Sequence, residues 1–460
     1  MLQESAVRAF RADPSTLVRS LLWLRRGKAY LKHRLAAYSD FEPSLLPYNE
    51  DLLSFLREQK QHGRYLVLCT ASDRSIAEII ASHLGIFDEV MASNGALNLA
   101  GSAKATALVE RFGDKGFDYA GNSGADEKVW ARARHAIVVN ASSKLTARAE
   151  AGYSVSEKMP SSSSPAWSWA RRVLRVHQWL KNVLLFVPLA AAHQLTDTRM
   201  WGPLVIAFAA FCLCASSVYI ANDLLDLESD RLHPRKRMRP FASGRVPIWI
   251  GLVASPVLLL ISFALALLVN DALVACLFVY FVLTSAYSFY LKRLMLVDCI
   301  TLALLYTLRV IAGVAVVGSL LSFWLLAFSV FLFLSLAFVK RYAELEIQLL
   351  SGQQKSHGRG YLTTDAPLIQ TVGVSSGFAS ILVLALYLNS DAVIKLYRTP
   401  EVVWGVVPIM IFWVSWMWLV AHRGEMHDDP VVFAVKDRAS WVASALFVVV
   451  LWLATLSWPW

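Results

Sequence analysis

Cysteine is scarce. The five present (Cys69, Cys212, Cys214, Cys276 and Cys299) all lie in apolar surroundings. Their spacing suits neither a zinc site nor a disulfide framework, so they read as reduced packing groups. Charge is sparse as well, at 17% of residues, and acids are outnumbered by bases, 34 to 44, for a net charge of +10. In a soluble chain that balance would raise nucleic acid as a partner. Here the Lys and Arg residues sit mainly in short loops between apolar runs, the pattern of topology determinants beside anionic lipid, so nucleic acid is not expected. The opening MLQESAVRAFRADPSTL has no positive segment leading into a short apolar core, so no secretory signal is expected there.

Apolar residues are abundant instead: 56% of the chain, 16 of them Trp, with a mean hydropathy of +0.48. Soluble domains sit near 45–50% apolar, so the excess has to be hidden from water. It is concentrated after residue 170. Residues 1–150 read as an ordinary soluble mixture, and 151–170, with SEKMPSSSSPAWS, as a flexible Ser/Pro linker. A spanning helix needs about 20 mostly apolar residues. The pattern predicts nine spans, near 179–193, 202–222, 248–269, 272–290, 296–317, 320–339, 369–389, 402–421 and 440–457. Alternate loops are rich in Lys and Arg, from Arg231, Arg235 and Lys236 through Lys355 and Arg359 to Arg423 and Arg438, while the intervening loops are poor in them. The asymmetry places every charged loop, and the N-terminal region with them, on the cytoplasmic side. An odd count then puts the C-terminus, LSWPW, in the opposite interface.

The stretch NDLLDLESDRLHPRKRMRPFASG follows one of these runs. Asp223, Asp226 and Asp230 are three and four residues apart and share one helical face, with Asn222 beside them. Carboxylates gathered in this way repel one another unless a cation bridges them. Hard oxygen ligands without His or Cys suit Mg²⁺, which takes a few carboxylates and substrate phosphates. The basic burst that follows supplies guanidinium groups matched to phosphate oxygens. A solvated loop obeying the positive-inside rule explains the basic residues, but not ionisable groups lined up beside the bilayer.

NDLLDLESD resembles the Asn-Asp-x-x-Asp-x-x-x-Asp motif of the UbiA superfamily of intramembrane prenyltransferases, and the resemblance covers residues 170–460. It implies an all-α bundle of nine transmembrane helices that binds a Mg²⁺-diphosphate at the cytoplasmic side. RVHQWLKNVLLFVP, AYSFYLKRLMLVDCITLALLYTLRVIAG, FVKRYAEL and MHDDPVVFAVKDR look like the decaprenyl-phosphate phosphoribosyltransferase branch. That branch implies transfer of 5-phosphoribose from phosphoribosyl diphosphate to a polyprenyl phosphate. A second acidic pair is incomplete: Asp298 is present, but position 302 is Leu. The site expected is therefore Asp223, Asp226 and Asp298 as catalytic acids and Asp223, Asp226 and Asp230 as metal ligands. Lys181, Asn222, Arg237, Arg239, Lys292 and Arg309 are the candidate phosphate contacts. Asp428 and Asp429 in HDDP read as loop structure rather than a metal site. An aromatic prenyltransferase with a prenyl diphosphate donor is the first alternative; a transporter is the second, disfavoured because its ion site would lie near the midplane.

In the N-terminal region YLVLCT is a continuously apolar strand followed by a helix, and GFDYAGNSGADEKVWARA followed by HAIVVN repeats the alternation. This argues for a doubly wound α/β domain. Residues 1–150 resemble the haloacid dehalogenase-like phosphatases. On that resemblance Thr70 and Ser72 offer hydroxyls to phosphate, Lys104 a lysine, and Asn122 and Asp126 stand at an acidic metal-binding position. No Asp-x-Asp nucleophile motif occurs in residues 1–60, so the first strand is expected to be missing and aspartyl-phosphate chemistry is not expected of this chain as written.

Overall fold

The computed structural model describes residues 2–38, 42–160, 166–192, 194–234, 236–318, 322–350, 360–390, 393, 397–426 and 429–456. Arg235, Lys355, Arg359, Asp428 and the closing Ser457 to Trp460 lie outside them. The chain divides into two units, Met1–Val173 with Asp223–Val253, and Leu174–Asn222 with Ala254–Trp460.

The first unit begins with three helices, α1 (Leu2–Ala12), α2 (Thr16–Arg25) and α3 (Lys28–Ala36), whose small core is Ala9, Trp23 and Leu35. Helix α4 (Glu50–Gln61) starts where the Asn49 side chain accepts from the Leu52 N–H, satisfying one orphan donor of the first turn. Strand β1 (Val67–Asp73) then leads into α5 (Arg74–Leu84), which Asp73 caps through the Ser75 N–H and which Gly85 ends at φ +63°. Strand β2 (Glu89–Ser93) pairs parallel with β1. After α6 (Ser102–Phe112) comes β3 (Tyr119–Gly121), then α7 (Glu127–Trp130), β4 (Ala136–Val139), α8 (Ser143–Gly152), β5 (Val155–Met159) and α9 (Ala166–Val173). The order β3-β4-β5 is parallel throughout. Strand β5 falls in the stretch read as linker. Its three central residues, Ser156, Glu157 and Lys158, are all exposed and polar, which hides the strand from a search for apolar runs. The parallel α/β character is as expected, built as two sheets of two and three strands. They share apolar packing: Cys69 of β1, Met91 of β2 and Tyr119 of β3 meet Ala105, Leu108 and Val129.

In the apolar part seven helices are long and hydrophobic enough to cross a membrane, or eight if a pair bent by 80°, Pro430–Lys436 and Arg438–Ala454, is one span. Nine regular spans do not form among the described residues. The expected first span, 179–193, is instead a 3₁₀ helix, Val176–Phe186, running into α10 (Val187–Ala191). Pro188, which has no N–H to donate, stands in the first turn of α10, where a missing donor costs least. The remaining long helices are α11 (Thr198–Leu225), α13 (Ile248–Leu267), α14 (Asp271–Phe289), α15 (Val297–Val317), α16 (Phe323–Leu350) and α17 (Ala366–Leu388), with the short α12 (Leu227–Leu232) after α11. Then follow α18 (Pro400–Val403), α19 (Val406–His422), α20 (Pro430–Lys436) and α21 (Arg438–Ala454).

Helix α15 is buried nearly all round because it feeds two cores of the second unit. Cys299, Ala303, Tyr306 and Val310 join one, while Leu305, Ala312, Val316 and Val317 join the other. Large apolar side chains elsewhere point outward, such as Leu260 at 71% and Phe323 at 73% exposure. In spanning helices these are the surfaces that lipid covers.

Candidate functional site

In the first unit the acidic stretch is split between two helices. Asp223 lies in the last turn of α11, Asp226 precedes α12, and Asp230 lies within it. Asp223 and Asp230 are buried and converge on one atom: Arg239 Nη1 lies 3.0 Å from Asp223 Oδ1 and 2.7 Å from Asp230 Oδ2. Burial pushes the Asp230 carboxyl above its ordinary value; Arg239 opposes this and the charge of Asp223 adds to it. The helical spacing does bring two of the three acids to one cation. Asp226 is half-buried, and no group of three acid, His or Cys side chains is assembled for a metal among the described residues. Two carboxylates on one positive centre nevertheless fit Mg²⁺, which takes one or two protein carboxylates and fills the rest of its shell with water and phosphate oxygens. Arg237 is exposed on the short turn Lys236–Met238, and Asn222 is half-buried one residue ahead of Asp223.

The second unit holds a separate group of cations. Asp429 Oδ2 accepts from Lys181 Nζ at 2.7 Å and Lys340 Nζ at 2.9 Å, while its Oδ1 accepts from the Tyr306 hydroxyl at 2.8 Å. One turn on from Tyr306, Arg309 gives Nε to Asn182 Oδ1 at 2.8 Å, Nη2 to the Tyr280 hydroxyl at 2.9 Å and Nη1 to the Leu305 carbonyl. Those acceptors are all neutral. The guanidinium carbon also lies 4.8 Å from the Tyr280 ring and 5.5 Å from that of Tyr306, close enough for cation–π attraction. Two cations thus share one carboxylate, and a third, Arg309, is bound by neutral groups alone.

The irregular first segment makes this grouping possible. A Cβ on Gly313 would lie 2.2 Å from the Leu185 carbonyl oxygen, so only glycine lets α15 approach that backbone. Gly313 sits one turn beyond Arg309 on the face that meets Asn182. Lys181 and Arg309 were both among the candidate phosphate contacts named from the sequence. Lys340 and Tyr306 were not assigned and Asp429 was read as loop structure; nothing in the sequence pairs them.

Asp298 has a different setting. It is fully buried in the first turn of α15, with Oδ2 2.5 Å from Arg341 Nη2 of α16, itself fully buried and also bound to Glu344. Asp298 Oδ1 accepts from the Tyr361 hydroxyl at 2.5 Å, and that hydroxyl accepts from the Leu296 N–H at 2.7 Å. Leu296 is held at φ +63°, strained for a side-chain-bearing residue. Lys292 is half-buried on the turn Leu291–Arg293 just before it.

In the α/β part Thr70 and Ser72 line a pocket of about 160 Å³ together with Leu2, Ser5, Lys32, Ala71, Asp73 and Ile76. The Lys32 ammonium is bound to the Ala71 carbonyl at 2.5 Å and to Asn98 Oδ1 at 2.7 Å. Lys104 and Asp126 are engaged away from that lining. Lys104 Nζ donates to the Tyr119 hydroxyl at 2.6 Å. Asp126 Oδ2 accepts from the Asn122 N–H, the Ser123 N–H and the Ser123 hydroxyl, and its Oδ1 from Tyr119. This carboxylate holds a turn together.

Apolar helices long enough to span a membrane, paired acids on one arginine, a group of cations in the second unit and a parallel α/β region together define an intramembrane transferase with an N-terminal hydrolase-like domain. Residues 183–433 match the UbiA prenyltransferase family and residues 4–126 match haloacid dehalogenase-like hydrolases. The chain belongs to the UbiA prenyltransferase family. It is 40% identical over 448 residues to the protein y4nM of Sinorhizobium fredii, covering 97% of this chain and 86% of that one. It is 29% identical over 293 residues to a decaprenyl-phosphate phosphoribosyltransferase of Mycolicibacterium smegmatis, covering 62% and 90%. Among solved structures, a UbiA homolog from Archaeoglobus fulgidus bound to GPP and Mg²⁺ is similar at a TM-score of 0.48 and 16% identity, over 62% of this chain and 99% of that one.

Proposed function

We propose that this chain transfers a 5-phosphoribosyl group from phosphoribosyl diphosphate to the phosphate of a polyprenyl phosphate. The observation that carries the reading is a surplus of positive charge: Lys181 and Lys340 share the single carboxylate of Asp429, while the buried Arg309 has only neutral acceptors. Buried charge of one sign needs a partner, and a phosphate dianion matches what is left over. Similarity to the Mycolicibacterium enzyme along 90% of its length supports the same substrate class.

In the reaction the bond from ribose C1 to the diphosphate oxygen breaks and a bond from C1 to a lipid phosphate oxygen forms, releasing diphosphate. The nucleophile is already anionic, so no strong general base is required. Asp223 and Asp230, with Asp226 beside them, would hold Mg²⁺, which neutralises the leaving diphosphate. Arg239, with Asn222 and Arg237 near it in sequence, is suited to the remaining diphosphate oxygens. Lys181 and Arg309 are assigned to a substrate phosphate, with Lys292 a further contact. Asp298 enters as a positioning residue, through Arg341 and Tyr361. The charged loops, and the α/β domain with them, are placed on the cytoplasmic side, as the positive-inside rule requires.

The test is a membrane assay with labelled phosphoribosyl diphosphate, polyprenyl phosphate and Mg²⁺, beside an Asp223→Asn/Asp226→Asn control. Label passing into the lipid phase, and lost in the control, is the expected result. No such transfer, with transfer instead from a prenyl diphosphate to an aromatic acid, overturns it in favour of the aromatic branch.

A further inference from the structure

Helix α1 of the hydrolase-like domain is built against the helix that carries Asp230, within the first unit. Glu4 is buried, and its Oε1 accepts from Arg231 Nη1 at 2.5 Å and from Arg8 Nη2 at 2.9 Å. Arg231 is buried as well and gives its Nε to the Ala242 carbonyl at 3.2 Å. One turn along α1, Arg8 Nε lies 3.3 Å from Glu228 Oε1, and Arg11 Nη1 lies 3.8 Å from Glu228 Oε2. Arg11 also donates to the carbonyl of Leu225, the last residue of α11, at 3.4 Å. Between these polar contacts Val7 lines a small cavity together with Leu224, Leu225 and Leu227.

Glu228 and Arg231 are three residues apart and share a face of α12. Asp230 is bound elsewhere, to Arg239. The acidic stretch therefore has two handles: Arg239 on its carboxylates and α1 on the residues interleaved with them. A buried ion pair is a poor source of stability but a strong fixer of register, because leaving either charge alone is costly. Both Glu4 and Arg231 carry that constraint across more than 220 residues of chain.

We propose that α1 is a positioning element for the acidic motif: Glu4, acting through Arg231, and Arg8 and Arg11, acting through Glu228 and the Leu225 carbonyl, hold α11 and α12 in the orientation that presents Asp223, Asp226 and Asp230. The hydrolase-like domain is then a working part of the transferase, whatever its own chemistry. This goes beyond the phosphoribosyl reading and does not depend on which diphosphate is used.

The experiment uses full-length protein in detergent micelles or native membranes, comparing wild type, Glu4→Ala, Arg231→Ala and the pair. The first readout is amide hydrogen exchange by mass spectrometry. Faster exchange is expected over residues 224–232 in each single variant, with β4 unchanged, and the double variant should add little to either single one. The second readout is transfer, where kcat should fall about tenfold while folded protein is retained by size-exclusion chromatography. Should Glu4→Ala fail to fold, Arg11→Ala removes only the outer contacts and carries the same test. Unchanged exchange over 224–232 overturns the proposal. So does faster exchange with undiminished transfer, or additive loss in the double variant. Silence of the wild type with phosphoribosyl diphosphate would sink the substrate reading alone, because exchange still decides the role of α1.

Discussion

Asp298 shows how much a buried side chain's role depends on its neighbours. From its sequence position it stood as a catalytic acid; in the fold it is enclosed with Arg341, Tyr361 and the strained backbone at Leu296. Removing one charge of such a pair leaves the other uncompensated, so Arg341→Met should lower stability by about 3–5 kcal/mol. Thermal unfolding in detergent measures it. Lys181 makes the opposite test. Replacing a charge-assisted contact costs about 1.5–3 kcal/mol, so Lys181→Met should raise KM for a phosphate-bearing substrate by roughly ten- to a hundredfold, at about 1.4 kcal/mol per decade. A fall in kcat alone would mean the lysine only balances Asp429.

At the scale of elements, long apolar runs were legible and irregular ones were not. Helices α11, α13, α14 and α15 appear within a few residues of where hydropathy predicts them, because their sequences are long, nearly continuous apolar runs. The segment around Lys181 is not one regular helix but a 3₁₀ helix running into the short α10, a difference that hydropathy does not register. Strand β5 failed for the reverse reason: its hydrogen bonds to β4 are backbone bonds, and its exposed, charged side chains advertise a loop. In the candidate site, Asp223, Asp230 and Arg239 could be read from helical spacing and local charge. Asp429 could not, since its partners lie 89 and 248 residues away. Gly313 ties element to site. Gly313→Val should force the Val176–Phe186 segment off α15, at about 1–3 kcal/mol for overpacking. Transfer should fall at least as far as in Lys181→Met, because Lys181 and Asn182 move together. Activity near wild type would show that the segment's position is not needed.

For the whole molecule, the contact between α1 and α12 gives stability a pH dependence. Burial pushes the Glu4 carboxyl up, but Arg231 and Arg8 outweigh it and hold it below the ordinary value of 4.5. A depressed carboxyl contributes stability that is present above its unfolded value and is lost as pH falls through its folded one. The unfolding temperature of the wild type should therefore drop more steeply below pH 4.5 than that of Glu4→Gln. Curves that run parallel throughout would count against the pairing.

Helix α1 has a second side. Leu2 and Ser5 form part of the wall of the 160 Å³ pocket lined by Lys32, Thr70 and Ser72, while Glu4 and Arg8 grip α12. One helix thus borders a cavity and the acidic motif at once. Thermodynamic reciprocity follows from that shared wall: any small molecule that binds the pocket only while α1 is docked strengthens the docking by the same factor by which docking strengthens its own binding. The domain fused ahead of the transferase is in this sense a place where cellular chemistry can be felt by an enzyme working on lipid.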